Sequence, residues 1–159
     1  MKLLLEYMRT IIISFEFLVL AGVISTLFLK PDFVQDTRDN INLNPDVVKW
    51  LALVPAGCLT LILRDIRKVL FPERDLKVKL QNWENYWRLR VTVNVGIIYG
   101  VCFVVMSVVS WLINWDEFGN EGLVLMVGAV IGACVDYLTV YFASVTVEEI
   151  YAKEYGTRK

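Results

Sequence analysis

Two carboxyl groups lie inside long apolar runs of this sequence. Glu16 falls within ISFEFLVLAG, and Asp136 falls within VGAVIGACVDYL. An acid buried among apolar groups costs several kcal/mol unless it is protonated, paired or hydrated, so both side chains are expected to face the protein interior. Such acids can join helices by hydrogen bonds, or they can line a path for protons or ions.

The two acids are predicted to lie at a similar depth. Glu16 is about 6 residues inside the first apolar run, and Asp136 is about 7 residues before the end of the last one, so each lies roughly 10 Å deep at the rise of an α-helix. The sequence therefore predicts one polar tier, built from Glu16, Asn94, Tyr99, Asp136 and Tyr137.

Three interpretations of this tier remain open. The acids could be protonated and bridge neighbouring helices. They could instead line a polar cavity or pore that opens to the cytoplasm. In the third interpretation they pair with Arg9 or Arg64, whose long side chains reach down from the membrane surface.

Catalysis is not expected from these residues. The sequence contains no histidine, and its three cysteines lie separately inside apolar runs. It also lacks a glycine-rich phosphate loop and a GxSxG motif, so no nucleophile with an orienting base can be assigned. We therefore predict that the protein is not an enzyme and holds neither a metal ion nor another cofactor.

The elements that position the acids are predicted to be membrane-spanning helices. The chain is 57% hydrophobic, and four of its segments are almost free of charge and close to the length that crosses about 30 Å of hydrocarbon. These predicted spans are residues 10–29, 47–63, 91–113 and 123–143. They define an all-α membrane protein with a single four-span domain over residues 1–159, and Pro55 predicts a kink in the second span.

Loop charges predict the orientation of the spans. Residues 64–90 carry eight Lys and Arg residues, whereas residues 30–46 carry two and residues 115–122 carry none. Because basic loops stay in the cytoplasm, loop 64–90 is predicted to be cytoplasmic. Both termini, including the tail at 144–159, are then also cytoplasmic, as expected for an integral protein of a bacterial inner membrane.

The cytoplasmic loop contains an aromatic cluster at helical spacing. Leu80, Trp83 and Trp87 fall at helical spacing with Tyr86 beside them, and Arg88, which faces elsewhere on the helix, completes the predicted surface. They predict an amphipathic helix between spans two and three that either lies on the inner leaflet or runs straight into span three. The cluster would anchor the helix to membrane lipid or dock a soluble cytoplasmic protein. Acidic residues dilute the basic ones in this loop, so direct nucleic-acid binding is not expected.

Small residues recur every fourth position in the last two spans. Gly96 and Gly100 form one pair, and Gly128 and Gly132 form another. Such pairs let two helices approach closely in lipid. The predicted contact is either between spans three and four of one subunit or between subunits of a homo-oligomer.

Two functions follow from these patterns. The first is an oligomeric scaffold or sensor in the membrane that holds a soluble cytoplasmic partner. The second is a small homo-oligomeric ion channel or pore-forming effector, with the Glu16 and Asp136 tier along its pathway. In topology alone, the predicted protein resembles small four-span subunits of bacterial operons, including membrane components of phage-defence systems. That resemblance implies a role in phage defence or a stress response.

Overall fold

The computed structural model describes residues 10–29, 50–70, 86–112 and 115–156. Within these ranges every residue is helical except Ser14, Ala52 and Leu53, and none belongs to a strand. The all-helical fold class predicted from the apolar runs is therefore confirmed for the part of the chain that the structure describes.

The described residues form four main helices. They are α1 (Phe15–Leu29), α2 (Val54–Leu70), α3 (Tyr86–Leu112) and α4 (Trp115–Gly156). A short helical segment at residues 10–13 precedes α1 and is separated from it by a bend at Ser14. The 42 residues of α4 include the predicted fourth span and most of the predicted tail.

Two of the helices are long and apolar enough to cross a membrane. The first is α3, which contains a stretch with a mean hydropathy of 2.3. The second is the Glu121–Glu149 part of α4, where the corresponding value is 2.1. Because α1 and α2 are shorter, with 15 and 17 residues, the four-span arrangement stays a prediction.

Pro55 explains why α2 begins later than the predicted span at 47–63. Proline has no N–H to continue a helix, but it fits the first turn. The chain accordingly breaks at Ala52 and Leu53, and α2 starts at Val54. The Ser107 hydroxyl of α3 donates a hydrogen bond of 2.7 Å to the Ala52 carbonyl at this break. A polar group exposed by the break is thus paired inside the protein, as an apolar surrounding requires.

The predicted cytoplasmic loop at 64–90 is helical at both ends. Residues 64–70 belong to α2 and residues 86–90 belong to α3, whereas residues 71–85 lie outside the described part of the chain. The reason is packing, because apolar side chains from both ends join α4 in one buried cluster. Its members are Ile62, Ile66, Val69, Tyr86, Val93, Val140, Ala143 and Val147.

Helix α4 is the central element of the bundle, since it packs against each of the other three helices. About two helical turns before Val140, Ala133 of α4 joins a second buried cluster with Val91, Val95, Tyr99 and Phe103 of α3. Large apolar side chains remain exposed on the outside of all four helices. Examples are Phe28 (80% exposed), Leu63 (47%), Leu112 (71%) and Phe142 (63%).

Candidate functional site

Asp136 lies in a notch made by two glycines of α3. A β-carbon added to Gly96 would stand 3.0 Å from Oδ1 of Asp136, and one added to Gly100 would stand 3.1 Å from Oδ2. Both distances are shorter than ordinary van der Waals contact. The carboxyl group can therefore reach α3 because both facing residues lack a side chain.

The Asp136 carboxyl has neither solvent nor a hydrogen-bond partner. The residue is 0% exposed, and within the described residues neither carboxyl oxygen receives or makes a hydrogen bond. The structure thus does not give Asp136 the interhelical hydrogen bond that the first interpretation predicts. A buried polar group without a partner is uncommon and costs stability, so it is a candidate for a functional role.

Glu16, in contrast, is paired. It is only 3% exposed, and its Oε1 accepts a hydrogen bond of 2.7 Å from the Thr139 hydroxyl of α4. Thr139 also contacts the carbonyl of Val135, at 3.1 Å. Because Thr139 follows Asp136 by three residues, the two lie on the same face of α4. The interhelical bridge predicted for the acids therefore applies to Glu16, with Thr139 as a partner that the sequence reasoning missed.

Glu16 also lines a cavity of about 440 Å³. The lining side chains come from the start of the described chain, from α3 and from α4. They are Thr10, Ile13, Ser14, Phe15, Glu16, Arg88, Thr92, Val95, Gly96 and Thr139. Gly96 lines the cavity and also contacts Asp136, so it forms the wall between them. The polar cavity of the second interpretation is therefore present beside Glu16, while Asp136 lies behind its wall.

The ion pair of the third interpretation does not involve Arg64. Its guanidinium lies 3.2 Å from the carboxylate of the neighbouring Asp65, and its side chain is 66% exposed. Arg9 lies outside the described residues. The basic residue that shares the cavity with Glu16 is instead Arg88, which its sequence pattern had assigned to a cytoplasmic surface.

Of the other predicted tier residues, Tyr99 is the one with a clear connection to this region. Its hydroxyl donates a hydrogen bond of 3.0 Å to the carbonyl of Ile11, just before α1. Asn94 is half-buried on α3. Tyr137 packs against the cluster that joins α2, α3 and α4, and its ring centroid lies 6.1 Å from that of Tyr141. The tier therefore centres on Glu16, Tyr99 and Asp136.

The second glycine pair is also used inside the chain. Val23 of α1 packs directly on Gly128, and the ring of Phe103 packs on Gly132. In both places an added β-carbon would collide with a side chain of another helix. All four predicted packing glycines thus serve contacts within one subunit, which favours the first of the two alternatives for these pairs.

The predicted surface cluster is divided by the structure. Tyr86 is buried, and its hydroxyl donates a hydrogen bond of 3.1 Å to the carbonyl of Val69 at the end of α2. It is therefore a packing residue, which corrects the surface role predicted for it. Trp87 is 37% exposed and Arg88 is exposed, both in the first turn of α3. Leu80 and Trp83 lie outside the described residues.

No protein-family model, curated protein or solved structure matches this chain. Its function is therefore inferred from the chemistry of the site itself. The cavity is lined by a carboxyl group, a guanidinium group and several hydroxyl groups. This composition is typical of a binding site for a small polar molecule. The sealed Asp136 behind the cavity does not extend it into a path through the bundle.

Proposed function

We propose that this protein is a four-span subunit of a membrane, with both termini in the cytoplasm. In this proposal it assembles as a homo-oligomer and acts as a scaffold or sensor for a soluble cytoplasmic partner. The exposed apolar side chains on all four helices support the membrane location. A water-soluble protein rarely leaves so many large apolar side chains exposed, whereas lipid solvates them readily.

The scaffold role is supported by the helices that continue, packed together, beyond the predicted spans. Helix α4 continues for 13 residues past the predicted span end at residue 143, or roughly 20 Å. Val147 of this extension packs with Val69 of α2 and Tyr86 of α3. Three helix ends that are already packed together form a preordered binding surface. A partner protein can bind there without the entropic cost of ordering the backbone of these helices.

The sealed acid argues against the alternative of a pore through the subunit. A conducting path along the polar tier needs water or ions at both acids. Asp136 has no exposed surface and is held against two glycines. A binding cavity that ends at Gly96 fits a sensor better than a channel.

The cellular setting of the proposal is taken from the predicted topology. We assign the protein to a bacterial inner membrane and to a phage-defence or stress-response system on its predicted topology alone. The cytoplasmic partner is then another protein of that system.

Two matched tryptophans of α3 test the scaffold role. Trp87 is 37% exposed at the predicted cytoplasmic end of α3, and Trp111 is 56% exposed at the other end. We expect Trp87→Ala to abolish co-purification of the soluble partner and Trp111→Ala to preserve it. In planar bilayers the purified parent protein is expected to stay silent. Loss of the partner in both variants, or a conductance that Asp136→Asn alters, contradicts the scaffold role.

A further inference from the structure

We infer that the cavity beside Glu16 binds a small zwitterion in which a primary ammonium group is joined to a phosphate. The ammonium points inward to Glu16, and the phosphate lies outward at Arg88. This inference deepens the proposed sensor role and rests on it, since it names the chemical class of ligand that the cavity takes. Its volume of about 440 Å³ lies within the range of small-molecule sites.

The inner part of the cavity is rich in hydrogen-bond acceptors. Glu16 accepts a bond from Thr139 at one oxygen, which leaves its second oxygen available. The hydroxyl protons of Ser14 and Thr92 are already donated to the carbonyls of Ile11 and Arg88, at 3.0 and 3.2 Å. These hydroxyls therefore have no proton left to donate, and Ser14, which already accepts a bond of 3.1 Å from the Phe17 N–H, keeps one lone pair for a ligand. A group with several N–H donors and a positive charge is the complement of this arrangement.

The outer part of the cavity carries the opposite charge. Arg88, Thr92 and Gly96 follow one another at four-residue spacing on one face of α3. Arg88 is therefore two helical turns, or roughly 12 Å along the axis, from the wall at Gly96. In the described part of the chain no ion pair joins Arg88 to Glu16. A guanidinium left exposed at the rim is suited to a phosphate, which it can bind through two parallel hydrogen bonds.

The ammonium is expected to be primary rather than quaternary. Quaternary ammonium groups are recognised by cages of aromatic rings. Phe15 is the single aromatic side chain among the described residues that line this cavity, and it is 73% exposed. Carboxylate and hydroxyl acceptors instead reward a group that donates hydrogen bonds.

The same chemistry occurs in a free phosphoethanolamine molecule and in the headgroup of phosphatidylethanolamine. Binding of the soluble probes is measured by calorimetry on the full chain in a non-ionic detergent. We expect phosphoethanolamine to bind about tenfold more tightly than phosphocholine, because the latter cannot donate to the acceptors around Glu16. Glycerol phosphate, which has no amine, is expected to bind as weakly as phosphocholine.

Two variants assign the charges. Glu16→Gln keeps an acceptor for Thr139 but removes the negative charge, so we expect it to abolish the preference for phosphoethanolamine. Arg88→Gln is expected to weaken both phosphate probes by about tenfold. Glu121→Gln and Arg67→Gln are the matched controls, since both residues are exposed and neither lines the cavity. They are expected to behave as the parent protein.

The source of the ligand is read from native mass spectra with added lipid. Retention of phosphatidylethanolamine over phosphatidylcholine, lost in Glu16→Gln, identifies the lipid headgroup. Binding of soluble phosphoethanolamine without lipid retention identifies the free molecule, and both outcomes support the inference. Equal affinity for phosphocholine, an unchanged preference in Glu16→Gln, or no binding of any probe overturns it. None of these measurements requires the soluble partner. Failure of the scaffold role can therefore be told apart from failure of ligand binding.

Discussion

Glu16 and Asp136 are both buried acids of the same predicted depth, yet their surroundings differ completely. Glu16 is hydrogen-bonded to Thr139 and opens onto a polar cavity. Asp136 has no hydrogen-bond partner within the described residues and is closed off by Gly96 and Gly100. One acid therefore lies beside a cavity with polar lining groups, while the other lies in a closed helix contact.

The difference shows how the opposing helix sets the surroundings of a buried acid. Across from Glu16 stand a hydroxyl donor and open space. Across from Asp136 stand two residues without side chains, which admit the carboxyl but offer it no hydrogen bond. Gly96 lines the cavity on one side and faces Asp136 on the other, and the predictions below alter each of these environments.

The largest effect is expected from Gly96→Ala. The new β-carbon would lie 2.9 Å from Cγ2 of Val140 and 3.0 Å from Oδ1 of Asp136, so these side chains or the contact between α3 and α4 must shift. Overpacking of this kind costs about 1–3 kcal/mol, of which alanine recovers about 1 kcal/mol through its higher helix propensity. The free energy of unfolding, measured in mixed detergent micelles, should therefore fall by up to about 2 kcal/mol.

The control for this prediction is Gly57→Ala in α2. A β-carbon at Gly57 has no atom within 4 Å, so only the helix propensity changes. Alanine is favoured over glycine by about 1 kcal/mol inside a helix, so this variant should be more stable than the parent protein. Equal destabilisation by both substitutions would contradict the prediction, because it would show that Gly96 is no more tightly packed than Gly57.

A smaller effect is expected from Thr139→Val, which removes the donor to Glu16 without changing the shape of the side chain. The lost hydrogen bond of 2.7 Å should cost about 1 kcal/mol of unfolding free energy. The matched control is Thr146→Val, because Thr146 also donates to a carbonyl one turn earlier on α4, at 2.9 Å, but is not bonded to an acid. Thr139→Val should therefore be less stable than Thr146→Val. Identical unfolding curves would show that the hydrogen bond between Thr139 and Glu16 does not stabilise the bundle.

The smallest effect is expected from Asp136→Asn. This substitution keeps the size of the side chain, and the structure gives the carboxyl no hydrogen bond to lose. The free energy of unfolding should therefore change by less than about 0.5 kcal/mol, which is the lower limit for loss of a hydrogen bond. A cost of several kcal/mol in the same micelle assay would mean that Asp136 has a strong partner, such as a bound ion or a second subunit.

The sequence predicted the features that depend on local chemistry. The apolar runs predicted helices, because hydrophobic patterning is a property of one segment. Pro55 predicted a kink within the second span, whereas the structure has a break just before it, at Ala52 and Leu53, and begins α2 at Val54. The small residues in VGAVIGACVDYL predicted close helix packing. Their partners could not be predicted, since Gly128 and Gly132 contact Val23 and Phe103 on two different helices.

The cavity shows the limit of that reasoning more clearly. Its acid was found because a charge in an apolar run is conspicuous. Thr139 and Arg88 carry no such signal, because threonine is common in helices and Arg88 belongs to a basic loop pattern. Only the packing of α3 and α4 brings them to Glu16. Tyr86 was misassigned to the surface for the same reason, since its partner, Val69, lies on another helix.

The most direct test of the account is water access to the two acids. Single Glu16→Cys and Asp136→Cys variants are made in a chain whose native thiols have been replaced by alanine, at Cys58, Cys102 and Cys134. Thr92→Cys serves as the cavity control. Val93→Cys serves as the buried control, because Val93 is 0% exposed and does not line the cavity.

A charged, membrane-impermeant thiosulfonate is then applied to inside-out vesicles, and labelling is followed by mass spectrometry. The account predicts that Glu16→Cys is labelled as readily as Thr92→Cys. It predicts that Asp136→Cys, like Val93→Cys, reacts only after the protein is denatured. Rapid labelling of Asp136→Cys in the folded protein would contradict the account, because water would then reach both acids and a continuous pathway would connect them.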